Sequence, residues 1–245
     1  MKTTDALVVA AGQSRRMRGK ENKVLLPLGG MPVLVYSLRI LEASPLIRNV
    51  WVVVRPVDVV RVERIIREYA LGRAEDRLVQ GGRERFESVR NGLAAIAEHQ
   101  APDLVVVHDG ARPFLNPAVL EQGIAMAGEK GACVVGYPSP DSLKETLDGQ
   151  RVSGTVDRSS TWLVQTPQVF EFRQVWEAYR NWDVREGIPT DDTAVVEAAG
   201  YPVSLLHGDR WNVKITTRAD FCMAEALIEK RTIPWLPYAS PHLPR

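Results

Sequence analysis

Through most of the chain, short runs of β-branched and aliphatic residues alternate with longer stretches in which apolar positions recur every three or four residues. The runs at 6–11, 50–54, 78–80, 104–108 and 132–137 contain almost no polar positions, so each predicts a strand buried on both faces. Between them, 34–41, 60–69, 88–97 and 120–127 hold apolar side chains at helical spacing and predict amphipathic helices. Strand and helix in alternation build βαβ units around a largely parallel sheet. The expected fold is therefore α/β, in three α/β/α layers on a mostly parallel central sheet.

The rhythm breaks after Tyr137. Segments 143–146 and 152–156 flank the turn pair Asp148-Gly149 and predict a β-hairpin, a protruding arm over about 140–160. So small an element buries too little apolar surface to stand alone in water. Packing against the same arm of a second copy is the economical solution, and a homodimer is expected. The βα rhythm then returns, with strands at 163–170, 203–206 and 213–215, helices around 175–179 and 193–199, and a closing helix at 218–230. Residues 1–232 are expected to form one domain, and the Pro-rich tail 233–245 to wrap the surface or stay disordered.

Composition narrows the partners. A chain of 245 residues, 45% hydrophobic and 25% charged, has enough material for a substantial core. No apolar run approaches the roughly 20 residues a bilayer requires, so no membrane span is expected. The start lacks the pattern of a secretory signal, so a cytoplasmic protein is expected. Neither Cys133 nor Cys222 has a CxxC spacing or a nearby histidine cluster, and both read as inert core thiols. A net charge of +1 gives no broad field for nucleic acid or an anionic membrane. The distribution says more: Arg15, Arg16, Arg18, Lys20 and Lys23 crowd one glycine-containing stretch. On charge alone a solvated basic loop is the simpler reading.

Context reverses that preference. Ala10-Ala11-Gly12-Gln13-Ser14-Arg15-Arg16-Met17 directly follows the first strand, and Lys23 lies just beyond. Small residues there let backbone N–H groups approach a nucleotide, while Arg16 and Lys23 can neutralise a triphosphate. The Walker spacing is absent, because six residues separate Gly12 from Gly19 and Lys20 precedes Glu21. GxGxxG is absent too, which removes the main support for a dinucleotide-dependent oxidoreductase. A second site sits at the end of the strand at 104–108, in His108-Asp109-Gly110-Ala111-Arg112-Pro113. Carboxylates at the carboxyl end of a central strand lie where open α/β sheets bind ligands, and Asp109 is a candidate to organise Mg²⁺ or a substrate hydroxyl. A turn-forming Asp before Gly110 is an equal reading on this segment alone. His108, ending an apolar strand, reads as a hydrogen-bonded core residue. Four scattered histidines give no Ser/His/Asp or metal-type arrangement.

Six motifs in order, AAGQSRRM with Lys23, GGRERFESVRNGL, HDGARP, VDRSSTWLVQTPQVF, TDDTAVVE and NVKIT, span nearly the whole chain. Together they resemble the isoprenoid-pathway cytidylyltransferases that act on 2-C-methyl-D-erythritol 4-phosphate. The resemblance implies a Rossmann-like nucleotidyltransferase that works as a homodimer, takes CTP and a polyol phosphate, requires Mg²⁺ and releases pyrophosphate. It implies that Arg16, Lys23 and Lys214 are catalytic. Ala10, Ala11, Gly12, Gly82 and Ser88 would bind CTP, with the Ser88 hydroxyl and nearby backbone reading cytosine. Asp109, Arg158, Thr166 and Thr190 would hold the second substrate, Arg158 and Thr166 being supplied by the partner's arm region. Asp109 would also meet the metal, which is held largely through the CTP phosphates.

The chain departs from the family pattern at Ser14, where glycine is common, and at Asn22, where proline often precedes the lysine. Arg83 stands at a position usually acidic, and Trp211 where aspartate is frequent. The same nucleotide motifs serve ribitol 5-phosphate cytidylyltransferases, so a pentitol phosphate is the alternative acceptor. A noncatalytic nucleotide-binding regulator is the remote alternative.

Overall fold

The computed structural model describes residues 2–12, 21–183, 185 and 187–236. β1 (Thr4–Val9) is followed by a small ribbon of β2 (Pro27–Leu28) and β3 (Met31–Pro32), then α1 (Val33–Ala43), β4 (Val50–Val54) and α2 (Val59–Glu68). Next come β5 (Leu78–Gln80), α3 (Arg85–His99), β6 (Leu104–Asp109), α4 (Pro117–Lys130) and β7 (Ala132–Pro138). The hairpin of β8 (Lys144–Thr146) and β9 (Val152–Thr155) precedes β10 (Trp162–Glu171), α5 (Phe172–Asn181), α6 (Asp192–Ala198), β11 (Ser204–His207) and α7 (Arg218–Glu229).

Seven strands form one sheet in the order β11-β7-β10-β6-β1-β4-β5. β1 pairs in parallel with β4 and β6, β4 with β5, and β7 with β11. Side chains alternate between the faces, as a pleated strand requires. Ala6 and Val8 join a core completed by α1, α2, α4 and α7, while Leu7 joins a second core under α3, α5 and α6. Gly92 lets α3 lie close on β1, because a Cβ there would stand 2.4 Å from Leu7 Cδ1.

Three features differ from the sequence-based expectation. β10 does not continue the parallel rhythm but runs antiparallel to β6 and β7. The chain leaves β7 at the carboxyl edge of the sheet, builds the arm, and re-enters from the same edge without a crossover helix, which forces the reversal. The strand expected at 213–215 does not form. Ile215 N–H bonds Ala111 O at 2.9 Å, beside a loop rather than a strand, so no ladder can extend. Cys222 lies on the exposed face of α7, whereas Cys133 is buried as expected.

Two further details bear on the site. The pairing of β10 with β7 slips between Val164 and Gln168, a bulge that releases Gln165 and Thr166 from that ladder. α7 starts at a capping box in which Thr217 and Asp220 each bond the other's backbone N–H, fixing the end of the segment that carries Lys214. Ile233 and Leu236 at the start of the tail are buried in the core beside α1. Residues 237–245 lie outside the described residues. Among the described residues no helix is long and apolar enough to cross a membrane.

The arm forms where the turn pair predicted it. β8 and β9 pair antiparallel, and the Asp148 carboxylate accepts from Gln150 N–H at 2.8 Å and Arg151 N–H at 2.9 Å. Gly149, at φ +72°, takes the left-handed backbone that the turn requires. The arm carries Leu147, 96% exposed, and Val152, 64% exposed, into solvent.

Candidate active site

β1 and β6 lie side by side with Val9 opposite Asp109. The chain passes from β1 to β4 on one side and later sets β6 on the other, so the carboxyl ends of β1 and β6 diverge at a topological switch point. A cleft of about 310 Å³ opens there. It is lined by Ala10, Ala11 and Gly12 after β1, by Asn22 and Lys23, by Gly82, Arg83, Glu84, Arg85 and Ser88, and by Asp109, Lys214 and Thr216.

Lys23 opens a short 3-10 turn over Lys23–Leu25, and Asn22 caps it. Asn22 is buried, with every polar function of its amide engaged. Its Nδ2 donates to Ala10 O at 2.8 Å and to Asp58 Oδ2 at 2.9 Å, while its Oδ1 accepts from Val24 N–H at 3.4 Å. Arg55 grips the same Asp58 with two hydrogen bonds of 2.6 and 2.9 Å. Burial alone would raise the Asp58 pKa, but Arg55 and Asn22 outweigh it and hold the carboxyl below its ordinary value. One amide thus ties the end of β1, the lysine turn and the approach to α2.

The opposite wall is a turn pinned by Ser88. Gly82 N–H donates to Ser88 Oγ at 3.1 Å, Ser88 O–H donates to Glu84 O at 3.1 Å, and Arg83 N–H donates to the Glu87 carboxylate at 2.6 Å. A Cβ on Gly81 would stand 2.4 Å from Ala11 Cβ, so glycine lets this turn close against the β1 loop. The Ser88 hydroxyl hydrogen is therefore engaged within the turn. Its work is to hold the Gly82 backbone in place, and the Arg83 side chain stands exposed at the rim.

Asp109 is the electrostatic centre. Its carboxylate meets Lys214 Nζ at 2.7 Å, Arg85 Nε at 3.4 Å and Arg112 Nε at 3.5 Å, and is nearly buried. Burial pushes its pKa up, but Lys214, then Arg85 and Arg112, more than offset this and hold it well below the carboxylate range. Arg85 is itself anchored by a two-pronged bond to the buried Asp192, at 2.6 and 2.7 Å, and Tyr179 O–H donates to the same carboxylate at 2.5 Å. The backbone of Asp109 is fixed as well, its N–H donating to Thr166 Oγ1 at 3.0 Å. A glycine-walled cleft with one lysine in the turn tied to the end of β1 and a second lysine beside a carboxylate on β6 can hold two phosphorylated groups against each other.

The comparisons with known proteins fall on the same reading. The sequence matches the family model of 2-C-methyl-D-erythritol 4-phosphate cytidylyltransferase (IspD) over residues 4–230. This chain belongs to the IspD family. It is 40% identical over 226 residues to the 2-C-methyl-D-erythritol 4-phosphate cytidylyltransferase of Syntrophus aciditrophicus, covering 92% of this chain and 95% of that protein. The fold is similar to the crystal structure of 4-diphosphocytidyl-2C-methyl-D-erythritol synthase from Anaerococcus prevotii, with TM-score 0.80, 29% identity, and 93% and 96% of the two chains covered. It is also similar to the 2-C-methyl-D-erythritol 4-phosphate cytidylyltransferase of Thermus thermophilus, with TM-score 0.72, 30% identity, and 93% and 98% covered.

Set against the IspD motifs, most of the expected site residues meet in the cleft. Ala10, Ala11, Gly12, Lys23, Gly82, Ser88, Asp109 and Lys214 all line it. Arg16 lies outside the described residues. Thr166 corrects an expectation: it belongs to the bulge in β10, not to the arm, and bonds Asp109 of its own chain. Arg158, exposed in the turn after the arm, reaches Pro140 O at 3.4 Å, and neither it nor the exposed Thr190 lines the cleft of its own protomer. Sequence reasoning missed Arg85, Asn22 and Asp192. Arg85 and Asp192 stand inside two of the IspD motifs quoted above, so a signal existed, but only the fold pairs them. Asp191, beside Asp192 in the same motif, caps α6 through Ala194 N–H at 2.9 Å.

Proposed function

We propose that this cleft joins CTP to 2-C-methyl-D-erythritol 4-phosphate, giving 4-diphosphocytidyl-2-C-methylerythritol and pyrophosphate, in the cytoplasm and as a homodimer. One observation carries the reading: the Lys23 turn, the Gly82 turn and the Asp109–Lys214 pair open onto a single cleft at the switch point. The nucleophile is a phosphate oxygen already ionised at neutral pH, so no general base is required. Positioning and charge stabilisation remain as the protein's tasks. Lys23, with Arg16 from the same sequence motif, meets the charge that grows on the nonbridging oxygens and the departing pyrophosphate. Lys214, oriented by Asp109, holds the acceptor phosphate in line. Backbone groups of Ala10, Ala11 and Gly82 read the base.

The arm supports the dimer. Leu147 and Val152 gain burial only from a partner, and that partner's arm can bring Arg158 to the acceptor phosphate. Mg²⁺ belongs to the nucleotide in this reading. This reading is supported by the Asp109 carboxylate, which already faces three cationic side chains. Among the described residues no cluster of three or more His, Cys, Asp or Glu could hold a metal. Bound to the triphosphate, Mg²⁺ would draw charge from the leaving group.

Pyrophosphate release tests donor and acceptor together. CTP with 2-C-methyl-D-erythritol 4-phosphate is expected to exceed UTP, ATP or GTP as donor and ribitol 5-phosphate as acceptor. A preference for ribitol 5-phosphate would transfer the assignment to that acceptor, and binding of CTP without pyrophosphate release would make the protein a regulator.

A further inference from the structure

His108 ends β6 fully buried, next to the residue on which the cleft is centred, and plays no part in the chemistry above. Its two ring nitrogens are both engaged. Nε2 lies 3.3 Å from Arg112 O, and Nδ1 lies 3.1 Å from Thr166 Oγ1. A carbonyl oxygen only accepts, so Nε2 carries a hydrogen, and because full burial keeps the ring neutral Nδ1 is bare. The Thr166 hydroxyl must then donate to Nδ1, which leaves an oxygen lone pair to accept the Asp109 N–H. The direction of every bond in the chain follows from the fixed acceptor at Arg112 and the neutral ring.

The chain closes on itself. Arg112 Nη1 donates to Asn212 O at 2.7 Å, and Asn212 Nδ2 donates to Thr166 O at 2.8 Å, two residues before Lys214. We propose that His108 is a positioning residue: as the neutral Nε2–H tautomer it orients the Thr166 hydroxyl, and through it the backbone of Asp109 and the Asp109–Lys214 pair. Thr166 then offers a ligand no hydroxyl hydrogen. It acts on the acceptor phosphate by holding Asp109, rather than by donating to the phosphate itself. This rests on the assignment of Asp109 and Lys214 to the acceptor side.

The tautomer can be read without any activity measurement. Two-bond ¹H–¹⁵N correlation spectra of the ¹⁵N-histidine-labelled enzyme near pH 7.5, assigned by loss of one signal in His108→Gln, are expected to show a protonated Nε2 and a bare Nδ1. A protonated Nδ1 overturns the proposal, whether or not the enzyme makes the expected product. The kinetic arm compares two amides. In His108→Gln the amide reaches toward Arg112 O but leaves Thr166 without an acceptor, so kcat/KM for the acceptor should fall roughly tenfold while KM for CTP holds. His108→Asn puts its carbonyl near the Nδ1 position and should recover most of that loss. Equal losses in both variants, or a loss confined to CTP binding, overturn the proposal.

Discussion

The wall around Asp109 and the arm at 144–155 are built on opposite terms. Asp109, Asp192 and Thr166 are at most 5% exposed, and their charges and hydrogen bonds are answered inside one protomer. The arm holds its turn with hydrogen bonds of its own but sends Leu147 and Val152 into solvent. The wall can keep its geometry alone, whereas the arm leaves apolar side chains uncovered. The difference suits the homodimer proposed above, in which one chain would supply a preorganised cleft and the other a reach of exposed residues.

The largest expected effect breaks the wall. Arg85→Met leaves the Asp192 carboxylate buried without its cation, and should lower unfolding free energy by about 3–5 kcal/mol in urea denaturation. An unchanged midpoint would remove the ion pair from the account of the wall. Next comes acid. Burial first of all pushes the His108 pKa down to about 4, against the opposing pull of Asp109 and with Arg112 and Lys214 adding to the depression. An unfolded His takes up its proton near 6.5 and the folded one only near 4, so stability is full above 6.5 and falls as pH drops between these values. The loss should approach about 3 kcal/mol by pH 4 and be absent from His108→Asn. Asp109, with its folded pKa held low, contributes stability that persists above its unfolded value near 4 and is lost only below it.

Lys23→Ala tests the chemistry without the wall. Turnover at saturating substrates should fall on the order of a hundredfold with the dimer intact, and near-normal turnover would remove Lys23 from the mechanism. The smallest effect on the protomer belongs to the arm. Leu147→Asp should change its unfolding free energy by less than about 0.5 kcal/mol while weakening self-association in sedimentation. Mixing Lys23→Ala with Arg158→Ala subunits should then restore activity in exchanged heterodimers. No recovery despite proven exchange would place each site within one chain.

Much of this arrangement was legible in the residues. The strands at 50–54 and 78–80 begin and end where they were expected, and the Asp148-Gly149 turn marked the arm. The strand at 50–54 is buried throughout, but 78–80 is the edge strand, half-buried and ending on exposed Gln80, so its expected burial on both faces fails. Strand direction was not legible. Nothing in the periodicity of 162–171 says that β10 re-enters from the carboxyl edge, and with it the bulge that brings Thr166 to Asp109. Arg85 and Asp192 lie 107 positions apart, and only the packing of α3 on α5 and α6 brings them together. Asn22 read as a tolerated small residue, since a sequence shows the size of a side chain but not the three bonds its amide will make.

That amide has a last consequence. By joining Ala10 to Asn22, twelve positions apart, it closes a ring of chain whose two ends it fixes. The cost of closing such a ring grows only with the logarithm of its circumference, about 0.6 kcal/mol for a doubling. Insertions between the two ends should therefore be tolerated far better than any change at residue 22, because length alters the perimeter while Asn22 is the clasp.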